Sequence, residues 1–129
     1  YLSLDLNGLK HANDTLGHAA GDELIKAAAD CMKEVFYKYG KVYRVGGDEF
    51  VVLLDKHVND FNTLIQSFET KVDNWHGELV TSMGISYGVV FSKEQTWQSV
   101  EDVSKIADDR MYKSKWLYYQ KNGIDRRQR

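Results

Sequence analysis

Three carboxylates stand where they could do chemistry together. Asp5 ends an alternating apolar segment, and Asp48 and Glu49 follow Gly46-Gly47 and lead into the apolar run Phe50-Val51-Val52-Leu53-Leu54. As neighbours entering a strand, Asp48 and Glu49 would project to opposite faces and could take different roles. Asp5 is followed almost at once by Asn7-Gly8, a backbone shape suited to opening a helix whose free N–H groups could meet phosphate. If the first strand pairs with the segment around 46–54, Asp5 and Asp48 converge beside that helix start. Two carboxylates and a phosphate cradle describe a magnesium-nucleotide site, with Glu49 as base or as a further ligand. Each piece also has a plain reading. The stretch 46–50 alone is an ordinary solvent-facing turn in which glycine permits positive φ, and Asp5 alone is a strand-end cap.

The elements that must position these residues follow from periodicity. Leu2, Leu4 and Leu6 alternate with Tyr1, Ser3 and Asp5, the period of a strand. A short polar segment covers 7–17, and Leu24, Ala28, Cys31, Met32, Val35 and Phe36 then predict an amphipathic helix over about 19–38, ended by Gly40. Val42, Tyr43 and Val45 and the run from Phe50 to Leu54 predict a hairpin. Phe61, Leu64, Ile65, Phe68, Val72 and Trp75 mark a second helix stopped by Gly77, and 81–91 reads as another strand. Ser99 and Asp102 match a helix-capping pair that opens a last helix through Val103, Ile106, Ala107 and Met111. This order predicts an α+β, or mixed α/β, domain with helices covering an at least partly antiparallel sheet.

Composition narrows the function classes. The 129 residues are 43% hydrophobic and 28% charged, the range of one globular domain with its own core. A net charge of -2 gives no basic field for nucleic acid or an anionic membrane, so an anionic ligand must be held locally. The one cysteine, Cys31, lies in an apolar helical pattern and reads as a buried structural thiol, which fits a reducing cytoplasm. No run is long enough for a membrane span, and the abrupt start in a strand pattern suggests a domain cut from something longer. Other site templates fail. Gly8 is at the fourth position of a would-be calcium loop that needs it at the sixth, no P-loop or G-x-G-x-x-G motif occurs, and His11, His18, His57, His76 and Cys31 lack zinc-ligand spacing.

With GGDEF at 46–50, DLNGLKHANDTLGHAAGDELI at 5–25 and ADDRMYKSK at 107–115, in that order over most of the chain, the sequence resembles the GGDEF-domain diguanylate cyclases. The resemblance implies a single catalytic domain over 1–129, related to nucleotide cyclases and polymerase palms. Its ferredoxin-like core would be a central, mainly antiparallel sheet wrapped by helices. It implies condensation of two GTP into cyclic di-GMP with release of two pyrophosphates, dependent on Mg²⁺ or Mn²⁺. Asp5, Asp48 and the Leu6 carbonyl would bind metal, and Glu49 would be the metal-linked acid that promotes attack by the ribose 3′-hydroxyl. Asn13 and Asp22 match the guanine-binding positions, and the backbone N–H groups of Gly8, Leu9 and Lys10, with Lys115, the phosphate-binding ones. His18 belongs to the same pattern, as a packed or capping residue or as a ligand contact, and Gly46 and Gly47 would let the turn approach the nucleotide. Arg44 receives no catalytic role. The implied partners are GTP, a second copy of the domain in a two-fold homodimer, and an upstream sensory or regulatory domain. Nucleic acid and direct membrane insertion are not expected, and the location is cytoplasmic, including the cytoplasmic part of a larger, membrane-tethered protein.

The chain departs from the family pattern at two places. Where many members carry an Arg-x-x-Asp product-inhibition site, this sequence reads Tyr37-Lys38-Tyr39-Gly40. Where a second phosphate-binding cation is usual, it has Tyr119, and that role is not transferred to Arg126 or Arg127. Two other readings therefore stay open: a non-catalytic GTP-binding or dimerisation module, and a nucleotidyl cyclase with a linear or mixed product.

Overall fold

The computed structural model describes residues 1–122. The alternating N-terminal segment forms β1 (Leu2–Leu6), and the chain continues through α1 (Leu9–Leu16), α2 (His18–Phe36), β2 (Gly40–Arg44) and β3 (Glu49–Leu54). It ends with α3 (Phe61–Asp73), β4 (Ile85–Val89) and α4 (Val100–Asn122). The strands form one sheet in the order β2-β3-β1-β4, every pair antiparallel. This order, with β1 and β3 in the middle, is that of the ferredoxin-like core that the family resemblance implies.

Period-2 side-chain alternation divides the sheet into two faces. Leu2, Leu4 and Leu6 of β1, with Phe50 and Val52 of β3, are buried with Leu24, Met32 and Phe36 of α2 and Ile65 and Phe68 of α3. Each such side chain contributes about 1.5–3 kcal/mol of hydrophobic stabilisation. Cys31 is buried among them, and burial pushes its thiol up from the usual range, as expected of a structural cysteine. The opposite face of β1 carries Ser3 and Asp5, and α4 covers it. Gly88 of β4 lets this helix approach closely, because a Cβ there would lie 2.1 Å from the Ala107 carbonyl oxygen and 2.4 Å from the Met111 nitrogen. On the hairpin Tyr43, Val45 and Leu53 remain exposed.

The cap expected before α4 forms, with Ser99 accepting a hydrogen bond from the Asp102 N–H. Asp60, which was not singled out in the sequence, likewise accepts one from the Thr63 N–H at the start of α3. The helix start expected at Asn7-Gly8 is present: the 7–17 segment holds the short helix α1, entered through Gly8 at φ 74°. Two expectations need correction. The long helix ends at Phe36, not 38. The strand expected over 81–91 is only Ile85–Val89, because its partner β1 stops at Leu6, opposite Ile85, and 81–84 have no strand to pair with. Among the described residues no helix is long and apolar enough to cross a membrane.

Candidate active site

The antiparallel register decides which acids meet. Asp5 lies opposite Glu49 on β3, so both point to the face of the sheet that α4 partly covers. Asp48 is in the turn between β2 and β3, and its carbonyl accepts the Leu6 N–H at 2.8 Å, which ties the turn to the end of β1. The result is one cluster: a carboxylate oxygen from each of Asp5, Asp48 and Glu49 lies within 4.8 Å of the others. Asp48 and Glu49 thus converge instead of dividing between faces, because Asp48 precedes the strand and strand alternation does not govern it. Burial is graded across the cluster, with Asp5 1% exposed, Asp48 half-buried and Glu49 exposed. Three hard oxygen donors at this spacing suit a divalent cation such as Mg²⁺.

The turn itself corrects one expectation. Gly46 and Gly47 do not adopt positive φ, so the turn does not need glycine for backbone reasons. Instead, a Cβ on Gly47 would meet nothing within 4 Å, and one on Gly46 would make only ordinary contact with Glu49. The bare backbone is therefore open to an approaching molecule. Arg44 braces the turn by donating from Nε and Nη2 to the Gly47 carbonyl at 3.3 and 2.9 Å and from Nε to that of Gly46 at 3.1 Å.

Beside the cluster, Gly8 enters α1 in the left-handed conformation with no side-chain cap, so the first-turn N–H groups, those of Leu9 and Lys10 included, are left for another acceptor. The chain entering α1 is fixed by the Asn7 N–H, which donates to the Gly84 carbonyl at 2.8 Å. A buried exchange between Asn7 and Ser86, at 3.0 and 3.1 Å, holds the next side chain in place. Asn13 is half-buried on α1 and packs over Gly21 of α2, where a Cβ would lie 1.8 Å from its amide oxygen. Asp22, the next residue, is exposed and lines a groove of about 390 Å³ between α2 and the hairpin, with Ile25, Lys26, Val42, Arg44 and Phe50. His18 is exposed at the start of α2. A larger groove of about 680 Å³ between α2 and α3 lies away from the carboxylates, and the Glu34–Lys71 ion pair at its rim is a surface contact.

Lys115 differs most from a sequence-level picture. It is 3% exposed, and its ammonium lies 2.8 Å from Asp5 Oδ2. Tyr119, one turn further along α4, is 2% exposed, and its ring centroid is 5.9 Å from the same ammonium. The position where a second cation was sought is thus a packed aromatic, and Arg126 and Arg127 lie outside the described residues. Sequence reasoning also missed Glu23, whose carboxylate accepts the N–H groups of Glu78, Leu79 and Val80 at 2.9–3.2 Å and so orders the loop before β4. The backbone hydrogen bond from Val80 is the main reason its carboxyl lies below the usual range. No local pattern marks such a residue, since its donors lie 55–57 positions away.

Residues 1–117 match the family described as diguanylate cyclase, GGDEF domain. Signaling protein YkoW of Bacillus subtilis is 36% identical over 133 aligned positions, covering 90% of this chain and 16% of that protein. Diguanylate cyclase DgcN of Escherichia coli is 34% identical over 120 positions, covering 88% of this chain and 29% of DgcN. The structure of a delta-N mutant of PA1120 (TpbB or YfiN) from Pseudomonas aeruginosa, comprising only the GGDEF domain, superposes with a TM-score of 0.79 at 26% identity, over 90% of this chain and 70% of that one. The chain spans less than a third of the length of these two curated relatives.

Proposed function

Because this chain belongs to the GGDEF family of diguanylate cyclase domains, we propose that it condenses two GTP molecules into cyclic di-GMP and two pyrophosphates at a two-fold interface between two copies. The observation that carries this reading is the set of three carboxylates within 4.8 Å, built across β1 and the β2–β3 turn beside the uncapped start of α1. Degenerate modules that only bind or dimerise would be expected to have lost these acids.

In this reading Asp5, Asp48 and the Leu6 carbonyl would hold Mg²⁺ or Mn²⁺, with Glu49 as a further ligand. The bound metal supplies charge neutralisation for the triphosphate and acidifies the attacking hydroxyl. Glu49, exposed at the mouth of the cluster, takes the proton of the 3′-hydroxyl as its oxygen attacks the α-phosphate of the facing nucleotide and pyrophosphate leaves. The N–H groups of Gly8, Leu9 and Lys10 receive the phosphates, helped by the α1 dipole, and Lys115 adds a positive charge. Asp22 accepts from guanine N1–H and N2–H₂ while Asn13 donates to N3, and His18 lies near enough in sequence to frame the base. Gly46 and Gly47 leave room for the nucleotide at the turn. Each copy holds one GTP, so the reaction needs a symmetric homodimer, and an attached regulatory domain would act by setting that encounter. A GTP-consuming reaction places the domain in the cytoplasm, alone or on the cytoplasmic side of a larger protein. Without an Arg-x-x-Asp site, product does not inhibit through that route.

The test is to fuse the chain to a dimeriser, supply GTP and Mg²⁺, and analyse products by mass. Cyclic di-GMP is expected. GTP bound but unconverted by the forced dimer would assign the chain to the binding-module reading instead, and a linear dinucleotide would assign it to a different nucleotidyl cyclase.

A further inference from the structure

Lys115 lies at the junction of two roles. In the proposed function, on which this inference rests, its charge is meant for phosphate, yet the ammonium lies 2.8 Å from Asp5 Oδ2 and both side chains are almost fully buried. Asp5 is also one of the three acids whose oxygens lie within 4.8 Å of one another. The lysine is held there by its helix. Met111 and Tyr119, one turn on either side, are buried at 6% and 2%, Ser3 donates a hydrogen bond to Asp108, and Gly88 brings α4 into close contact with β4.

We infer that Lys115 is a resident cation of the carboxylate cluster, which occupies Asp5 until a triphosphate draws it away. An ammonium at hydrogen-bond distance from Oδ2 takes up one oxygen of a carboxylate that a divalent cation would share, and its charge repels that cation from the rest of the cluster. Lysine suits the task because its charge is compact and its four-carbon stem is flexible, so the ammonium can move a few ångströms while its helix stays fixed. It leaves a buried carboxylate readily only when other negative charge arrives, and phosphate oxygens at the start of α1 provide that charge. Metal and nucleotide therefore load together, and the site holds metal weakly when no nucleotide is bound. Lys115 acts in this step as a positioning residue.

The experiment measures manganese(II) binding to the 129-residue chain without nucleotide, by the electron paramagnetic resonance signal of free Mn²⁺, for wild type, Lys115→Met and Lys115→Gln. The glutamine variant retains a neutral donor for Asp5, so it keeps the test valid if the methionine variant folds poorly, and circular dichroism checks both. The expected result is a gain of at least tenfold in Mn²⁺ affinity on loss of the charge, with a larger rise in Tm on Mn²⁺ addition than in wild type. With a non-hydrolysable GTP analogue bound, the gain should disappear. Equal Mn²⁺ affinities in all three proteins, or weaker binding by the variants, would overturn the resident-cation role and leave the proposed function standing. No Mn²⁺ binding by any of them would overturn the metal reading as well.

Discussion

Replacing Gly88 by alanine tests whether the contact between β4 and α4 is what sets the site. The added Cβ would lie 2.1 Å from the Ala107 carbonyl oxygen and 2.4 Å from the Met111 nitrogen, where ordinary contact begins at 3.4 Å, so α4 must retreat by about 1.3 Å. Both obstacles are helix backbone, which cannot swing aside as a side chain would. Overpacking of this kind costs about 1–3 kcal/mol, and rigid partners favour the upper end. The restricted unfolded chain of alanine returns about 0.5–1 kcal/mol, leaving a net loss of about 2 kcal/mol. For a domain of this size that lowers Tm by about 8 °C. The same shift would carry Lys115 away from Asp5, now 2.8 Å distant, so Mn²⁺ affinity without nucleotide should rise, as expected when the lysine's charge is removed. Gly47→Ala is the control, since a Cβ there meets nothing within 4 Å and the residue lacks a positive φ. Thermal melts followed by circular dichroism should place Gly88→Ala about 8 °C below wild type and Gly47→Ala within about 2 °C of it. A Gly88→Ala melt within about 2 °C of wild type, or an equal loss in both variants, would refute the packing argument.

Glu49→Gln should reduce cyclic di-GMP formation by at least about 100-fold while GTP affinity, measured by calorimetry, changes by less than about tenfold, the pattern of a lost general base; equal losses in both would reduce Glu49 to a ligand-holding role. Gly21→Ala should push the Asn13 amide aside, because the clash at 1.8 Å is with a movable side-chain end, and so weaken GTP binding with little change in Tm. Calorimetry beside a melt separates the two effects. Glu23→Ala should speed hydrogen exchange of the Glu78, Leu79 and Val80 amides by at least about tenfold, since one carboxylate accepts all three. Unchanged exchange would mean that something else orders the loop. Glu94 is drawn down to about 2 first by the Arg110 side-chain hydrogen bond, then by the Phe91 N–H. A lowered carboxyl stabilises the fold above its unfolded value of 4.5 and loses that contribution as pH falls through about 2. The Tm advantage of wild type over Arg110→Met should therefore be largest above pH 5 and narrow toward pH 2. Solvent screening at this partly exposed pair keeps it below about 1 kcal/mol.

Much of the fold and part of the site were legible in the sequence, for local reasons. The alternation of Leu2, Leu4 and Leu6 and the three-and-four spacing of Leu24 to Phe36 are periods imposed by strand and helix geometry, and the structure has both elements there. Ser99 announced its helix because a cap acts within one turn. Asp5 and the acids of the turn were singled out by residue type at element ends. Element ends themselves were less legible, as at 81–84, because a strand extends only as far as its partner does.

The sequence by itself thus determined which residues carry charge at the ends of β1 and β2–β3, and which family the chain resembles. Tertiary structure decided how those charges are arranged. Only the antiparallel register puts Asp5 opposite Glu49, and only the close approach of α4 at Gly88 buries Asp5 and sets Lys115 against it across 110 positions of chain. A local pattern reports the periodicity of one element. The pairing of a buried carboxylate with a buried ammonium depends on two elements docking, and their separation in sequence leaves no period to read.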